Sequence, residues 1–173
     1  MTRISRAHHV NKATLYSWMR PDEVEAIRSL IHRRRPHRVL EFGAGGSTLT
    51  FSREPSIREW WSLEHSPAWV CKVHSASVTS NPSKITLVSC PEDNVLLRIN
   101  QLLPIGFDMF FVDGFDRCLI LDRLRSHLAS ERGFVLLHDS SRPRYRSAIK
   151  RFPKRTVLTE GNGRHQGLMV LET

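Results

Sequence analysis

The chain has 173 residues, 40% of them hydrophobic and 25% charged, with no repeat and no low-complexity tract. This length suits one domain, which buries roughly 70% of the surface that the unfolded chain exposes. The first residues carry charge without the apolar stretch of a signal peptide, and no apolar run approaches the roughly 20 residues of a membrane span. We therefore expect a cytoplasmic protein with no membrane partner, and its three separated cysteines predict reduced thiols rather than disulfides.

The chain is strongly basic, with a formal net charge of +9 when the histidines are neutral. Much of the excess lies in two tracts, residues 32–38 and 142–155, and the second tract contains no acid. This composition is compatible with an anionic partner such as a nucleic acid. Solvated helix ends and loops explain it more simply, because no alternation of aromatic and basic residues typical of a nucleic-acid platform accompanies the tracts.

The predicted elements begin with a helix over residues 20–35, which has Pro21 at its start and is stopped by Pro36. Within a single domain 1–173, we expect residues 1–35 to form an N-terminal segment and covering helix, and residues 36–173 to form the core. Short apolar runs predict buried strands over 38–42, 59–64, 85–89, 107–112 and 133–138. The stretches between and after them predict helices over 67–78, 94–102, 116–129 and 142–152.

This alternation of strands and helices is the βαβ pattern of a parallel sheet. The last two predicted strands, residues 155–158 and 167–171, flank a turn at 161–163 and predict an antiparallel hairpin at the sheet edge. The expected fold class is therefore α/β, a Rossmann-like, doubly wound, mostly parallel sheet with an antiparallel C-terminal hairpin, in a three-layer αβα sandwich.

A glycine-rich turn follows the first predicted strand, with Gly43, Ala44, Gly45 and Gly46 directly after Phe42. Such a turn lets the backbone approach a ligand closely, and Ser47 is a good N-cap for a following helix. The third glycine position of a dinucleotide fingerprint is occupied by Thr48, and no Gly-Lys-Ser/Thr sequence is present. The turn therefore predicts a ligand other than a dinucleotide or a hydrolysed nucleotide.

An acidic residue ends the second predicted strand, since Glu64 lies 21 positions after Gly43 (64 minus 43). A carboxylate there can accept hydrogen bonds from both hydroxyls of a ribose. A surface carboxylate at a strand end is the alternative interpretation. The combination of this carboxylate with the glycine turn favours a nucleoside ligand.

Four motifs together resemble class I S-adenosylmethionine-dependent methyltransferases, over a range from about Pro36 to the end of the chain. They are Glu-x-Gly-x-Gly at 41–45, Ser-Leu-Glu-His-Ser-Pro-Ala-Trp at 62–69, Val-Asp-Gly at 112–114 and Leu-His-Asp at 137–139. The resemblance implies a cofactor site in which the methionine part lies beside Gly43 and Gly45, its amino group near Glu41, its ribose on Glu64, and its adenine beside His65 and Asp93 or else Glu92. The full predicted set of cofactor residues is Glu41, Phe42, Gly43, Ala44, Gly45, Ser47, Thr48, Glu64, His65, Glu92, Asp93 and Asp113.

Three polar residues are catalytic candidates, because Asp113, His138 and Asp139 follow adjacent predicted strands at the sheet edge where open α/β folds bind ligands. The usual pKa of histidine suits a general base near neutral pH, so we assign that role to His138, with the two aspartates orienting it or holding a cation. A structural alternative remains, since Asp139 followed by Ser140 and Ser141 is also a helix N-cap pattern.

Metal-dependent catechol-type O-methyltransferases are also similar to this chain, because they carry aspartates at positions that match Asp113 and Asp139. The sequence departs from their pattern in two places. Ser140 stands where asparagine is usual, and residues 115–117 lack the expected lysine. A divalent cation therefore stays an open question, and oxygen ligands would favour magnesium or calcium over zinc.

The resemblance implies transfer of a methyl group from S-adenosylmethionine to a small acceptor, with oxygen favoured over nitrogen as the methylated atom. Arginines at 142, 144 and 146 can clamp an anionic acceptor, although an exposed basic helix explains them equally well. Tyr16 and Trp18 can cover the site as a lid, with packing against the sheet favoured. Two alternatives stay open, an RNA or other nucleic-acid methyltransferase and a catalytically silent nucleoside-binding scaffold, and a homo-oligomer is compatible with either.

Overall fold

The computed structural model describes residues 15, 17–78, 82–161 and 167–173 of the chain. The strands are β1 (Arg38–Phe42), β2 (Glu59–Glu64), β3 (Ile85–Ser89), β4 (Met109–Val112), β5 (Phe134–His138), β6 (Lys154–Thr159) and β7 (Leu168–Glu172). The helices are α1 (Pro21–Arg34), α2 (Gly46–Phe51), α3 (Pro67–Ser77), α4 (Val95–Leu102), α5 (Arg117–Leu128) and α6 (Arg146–Lys150).

Within these described ranges the strands form one mixed sheet in the order β3-β2-β1-β4-β5-β7-β6. The first five strands are parallel, whereas β7 pairs antiparallel with both β5 and β6. Every residue of β4 and β5 is buried, as expected for central strands that helices cover on both faces. The predicted fold class and its antiparallel C-terminal strands are confirmed, and residues 162–163 of the predicted turn lie outside the described residues.

Alternate residues of the central strands feed two apolar clusters on opposite faces of the sheet. On one face, Met109 and Phe111 pack with Ile27 and Ile31 of α1. On the other, Phe110 and its neighbours pack with side chains of α4, α5 and α6. This period-two division is what places helices on both sides and gives the three-layer arrangement.

The covering helix α1 ends through Arg35, whose backbone is left-handed (φ 51°) and whose N–H donates to the carbonyl of Ile31. The helix packs on the face of the sheet that carries Met109 and Phe111. The assignment of 1–173 to one domain stays a prediction, because residues 1–14 lie outside the described ranges. No helix in the described part of the chain is both long and apolar enough to cross a bilayer.

Three predicted boundaries are wrong. Helix α2 begins at Gly46 with Gly45 as its N-cap, because the hydroxyl of Ser47 is used to bind a buried carboxylate. The helix predicted over 142–152 is instead a 3-10 turn, Pro143–Tyr145, followed by the short α6. Strand β4 begins two residues later than predicted, at Met109.

Candidate cofactor and active site

A cavity of about 1070 Å³ opens at the carboxyl edge of the parallel strands, between the loops that follow β1, β2, β4 and β5. Residues 17–19 form a further part of its wall. This is the edge where open α/β sheets bind their ligands. The volume slightly exceeds the roughly 300–1,000 Å³ usual for ligand pockets, so the cavity has room for a cofactor together with a second small molecule.

Two glycines bring the ends of β1 and β4 into direct backbone contact. Gly43 has a positive φ of 97°, and a Cβ atom there would lie 2.7 Å from the Cα of Gly114. A Cβ atom on Gly114 would lie 2.8 Å from the carbonyl oxygen of Phe42. Side chains at either position would therefore push the two loops apart.

Gly45 serves a different purpose, because it lines the cavity and its backbone is extended. A Cβ atom there would meet only Nε1 of Trp69, at 3.7 Å. The same tryptophan, which also lines the cavity, donates its ring N–H to the carbonyl of Ala44 and so holds the turn. The turn thus presents bare backbone to the cavity, as a site for close approach of a ligand requires.

Glu64 is 4% exposed and has a fixed orientation on the cavity wall. Its Oε2 accepts the backbone N–H of Ala44 at 3.1 Å, and its Oε1 accepts that of Ser66 at 2.8 Å. Nδ1 of His65 lies 3.0 Å from the same Oε1. The carboxylate therefore ties the glycine turn to the loop after β2 and offers its remaining acceptor capacity to the cavity.

An aromatic pair lies beside this carboxylate. The ring of His65 lies 4.7 Å from that of Phe115, centroid to centroid, and both residues line the cavity. Oε1 of Glu92 lies 3.5 Å from Nε2 of His65. Neither Glu92 nor Asp93 is among the described residues that line the cavity, and both are exposed, so their predicted contact with adenine stays a prediction.

Glu41 is fully buried behind the turn rather than in the cavity wall. Its carboxylate accepts hydrogen bonds from the hydroxyls of Ser47, Thr48 and Ser62 and from Nε1 of Trp60, at 2.5–2.7 Å. Burial raises the pKa of this carboxyl to about 7, although the four donors lower it. Glu41 therefore shapes the loop, and its predicted contact with a cofactor amino group stays a prediction.

The other predicted cofactor residues divide in the same way. Thr48 accepts the N–H of Gly45 at 2.9 Å while it donates to Glu41, and Phe42 belongs to the apolar core. Phe42 and Thr48 therefore support the turn, and their predicted contacts with the cofactor stay predictions. The predicted residues that do line the cavity are Gly43, Ala44, Gly45, Ser47, Glu64, His65 and Asp113.

The three catalytic candidates lie together at the ends of β4 and β5, joined by an arginine that the sequence analysis missed. Arg117 contacts Oδ1 of Asp113 at 3.0 Å and Oδ2 of Asp139 at 3.1 Å. It also donates to the backbone carbonyls of Asp113, Gly114 and His138, at 3.1, 3.0 and 2.5 Å. Its position four residues after Asp113, at the start of a helix, is the one clue in the sequence.

His138 is held between two carboxylates, with its side chain 8% exposed. Nδ1 lies 2.7 Å from Oδ1 of Asp113, and Nε2 lies 3.8 Å from Oε2 of Glu23 on α1. Burial lowers the pKa of His138, but the hydrogen bond and charge of Asp113, with the charges of Asp139 and Glu23, raise it above its usual value overall. His138 therefore stays protonated to a higher pH than an ordinary histidine, and its predicted role as general base stays a prediction.

Asp139 does not cap a helix. Its backbone is left-handed (φ 58°), and its Oδ2 contacts Nη2 of Arg142 at 2.6 Å as well as Arg117. The 3-10 turn that follows has Arg142 at its N-cap, without a side-chain cap. The alternative interpretation of Asp139 and the serines at 140 and 141 as an N-cap pattern is therefore wrong.

Only some of the residues that were predicted to contact the acceptor or to cover the site line the cavity. Arg142 lines it, whereas Arg144 lies over the ring of Tyr145 at 4.8 Å. Trp18 lines the cavity and is 87% exposed, so its predicted packing against the sheet is wrong. Tyr16 lies outside the described residues.

No family model matches the chain, and no curated protein matches its sequence. Solved structures do share its fold. An O-methyltransferase from Bacillus cereus in complex with S-adenosylhomocysteine is 17% identical, with a TM-score of 0.70 over 88% of this chain and 80% of that chain. The O-methyltransferase TomG from Streptomyces achromogenes, involved in tomaymycin synthesis and in complex with S-adenosylmethionine, is 17% identical, with a TM-score of 0.68 over 91% and 82%.

A methyltransferase-like protein from Silicibacter pomeroyi is 20% identical, with a TM-score of 0.62 over 91% of this chain and 89% of that chain. Each of these structures matches most of the chain. At such low identity the likeness describes the fold rather than the reaction. The chain therefore has the fold of class I S-adenosylmethionine-dependent methyltransferases.

Proposed function

We propose that the protein is an S-adenosylmethionine-dependent methyltransferase that methylates an oxygen of a small acceptor. The observation that carries the proposal is the carboxylate of Glu64, which two backbone N–H groups fix on a cavity wall beside the bare turn at Gly45. The presence of S-adenosylmethionine or S-adenosylhomocysteine in similarly folded O-methyltransferases supports it.

We assign each part of the cofactor to a region of the cavity. Glu64 would accept the ribose hydroxyls, the backbone of the 43–47 turn would receive the methionine part, and His65 with Phe115 would flank the adenine. The bound cofactor supplies an electrophilic methyl group on a sulfonium sulfur. Glu41 acts on the same turn from behind, through its bonds to Ser47 and Thr48.

An acceptor hydroxyl has to lose its proton as its oxygen is methylated. We assign the uptake of this proton to the carboxylate of Asp113, which lines the cavity with its side chain 21% exposed. His138 and Arg117 both contact its Oδ1 and so fix its orientation. In this assignment His138 and Asp139 are positioning residues.

A small and anionic acceptor is part of the proposal. Arg142 lines the cavity with its side chain 41% exposed, close enough to the mouth to meet a carboxylate or phosphate. The basic tract is less suited to nucleic acid, because Arg151 and Lys154 pair with Asp122 and Glu172. A cytoplasmic location belongs to the same proposal, and the three free cysteines support a reducing compartment.

The test is calorimetric titration of S-adenosylmethionine and S-adenosylhomocysteine, with nicotinamide dinucleotide as a ligand control. We expect micromolar binding that Glu64→Ala weakens at least tenfold, while the exposed Glu25→Ala leaves it unchanged. Release of S-adenosylhomocysteine on a panel of small hydroxylated acids and phenols then identifies the acceptor. Wild-type protein that binds neither sulfur compound would overturn the proposal, and binding without turnover on any acceptor would favour a silent nucleoside-binding scaffold.

A further inference from the structure

We propose that Arg117 takes the place of a divalent cation at this site, so that the central positive charge of the active site belongs to the protein. Arg117 lies at the same cavity as the proposed function, and the effect expected on methyl transfer rests on that proposed function. Its physical basis is that one oxygen of each aspartate and Nδ1 of His138 already contact other side chains.

The side chains of Asp113, His138 and Asp139 have the composition of a metal site. One ligand atom from each lies within 4.8 Å of the others, and two of the three residues are buried. Carboxylate oxygens and an imidazole nitrogen can coordinate several divalent ions. Composition and spacing alone would therefore favour a bound cation here.

The charges around these atoms contradict that interpretation. Oδ1 of Asp113 contacts both Arg117 (3.0 Å) and His138 (2.7 Å). Oδ2 of Asp139 contacts both Arg117 (3.1 Å) and Arg142 (2.6 Å). An arginine cannot lose its proton at accessible pH, so a divalent ion would have to compete with a permanent positive charge a few ångströms away.

Arg117 is also anchored so that it cannot swing aside. Its Nε donates to the carbonyl of Gly114, its Nη1 to that of His138 and its Nη2 to that of Asp113. Its guanidinium lies over the ring of Tyr145 at 5.5 Å, and the side chain is 9% exposed. Moving it would leave buried carbonyls without their donors, which the protein environment penalises.

Arg117 bridges two carboxylates, as a bound metal ion would. The guanidinium contacts a carboxylate at the end of β4 and another at the end of β5, and it holds the two strand ends at one separation. Because the bridge is covalently part of α5, it requires no ion from solution. Cofactor binding and any methyl transfer should therefore be insensitive to metal chelators.

The test uses Mn²⁺, whose binding is read by electron paramagnetic resonance, with S-adenosylhomocysteine affinity measured in parallel by calorimetry in EDTA. We expect wild-type protein to bind no stoichiometric Mn²⁺ at millimolar concentration. Arg117→Ala removes the cation that contacts the carboxylates of both Asp113 and Asp139, so this variant should bind Mn²⁺ at least tenfold more tightly than wild type. Arg151→Ala is the matched control, because it removes one exposed arginine and should behave as wild type.

Stoichiometric Mn²⁺ binding to the wild type that Asp139→Asn abolishes would overturn the inference, as would a folded Arg117→Ala protein that gains no affinity. If that variant does not fold, the wild-type titration decides alone. Exclusion of Mn²⁺ together with failure to bind S-adenosylhomocysteine would remove the methyltransferase proposal and leave the assignment of Arg117 intact. The two conclusions can therefore fail separately.

Discussion

A single methyl group at Gly45 should weaken cofactor binding without weakening the fold. The Cβ atom of Gly45→Ala meets only Trp69, at an ordinary contact distance of 3.7 Å, so the apo protein has room for it. In the complex that we propose, the same atom lies where the turn receives the methionine part of the cofactor. Overpacking of this kind costs about 1–3 kcal/mol, which corresponds to a loss of affinity of roughly 5-fold to 150-fold.

Gly43→Ala, two residues earlier, should instead destabilise the fold. Gly43→Ala forces a side chain into a positive φ of 97°, which costs roughly 1–2 kcal/mol, and drives its Cβ to 2.7 Å from Gly114. Because the Cβ overlaps with backbone atoms, moving the two loops apart costs a further ~1–3 kcal/mol. The sum, about 2–5 kcal/mol, lowers the melting temperature by roughly 4–20 °C for a chain of this size.

The assay is thermal unfolding of both variants beside calorimetry with S-adenosylhomocysteine. We expect the Gly45 variant to melt as wild type does and to bind weakly, and the Gly43 variant to melt early. If Gly45→Ala binds as tightly as wild type, the bare turn is not where a ligand lies. A Gly45→Ala protein that melts as early as Gly43→Ala would contradict the contact distances at the two glycines.

Three further predictions concern ionisable groups. The pKa of Glu41 is raised from 4.5 to about 7, so the free energy of unfolding should fall by up to about 3 kcal/mol as pH rises between these values. Urea titrations at several pH values should show this fall in the wild type and not in Glu41→Gln. The pKa of His138 is also raised, so His138→Gln should be most destabilising below pH about 6.5, and the deficit should shrink as pH rises through the raised value; a constant deficit would contradict it. Asp113→Asn should lower the methylation rate by about 10²–10⁴ while cofactor affinity changes little, and an unchanged rate would end its assignment as proton acceptor.

Much of the fold could be predicted because its strands are short apolar runs in a regular alternation with helices. The bounds of β1, β2 and β3 agree with the prediction, since each run is flanked by residues that end it clearly. The position of Glu64 at a strand end, and its proximity to the glycine turn, also followed from the sequence. Both are consequences of parallel topology, which brings the carboxyl ends of strands to one edge.

The remaining features depend on contacts between distant parts of the chain. Ser47 is a favourable N-cap by local propensity, but its hydroxyl donates to the buried carboxylate of Glu41 instead of capping the helix. Arg117 looks like any first-turn arginine until β4 and β5 place two carboxylates around it. The raised pKa of His138 arises partly from Glu23, 115 residues earlier in the chain (138 minus 23), which no local pattern links to it.

The order of the last two strands has a consequence for how the protein reaches its native state. Strand β6 precedes β7 in the chain but lies outside it, so β5 keeps an open edge until β7 inserts beside it. Every residue of β5 is buried in the finished sheet, and an unpaired apolar edge of this kind readily pairs with another chain. Refolding yield should therefore drop at high protein concentration, and the end of β5 that carries His138 should acquire its neighbour, Leu168, among the latest steps of assembly.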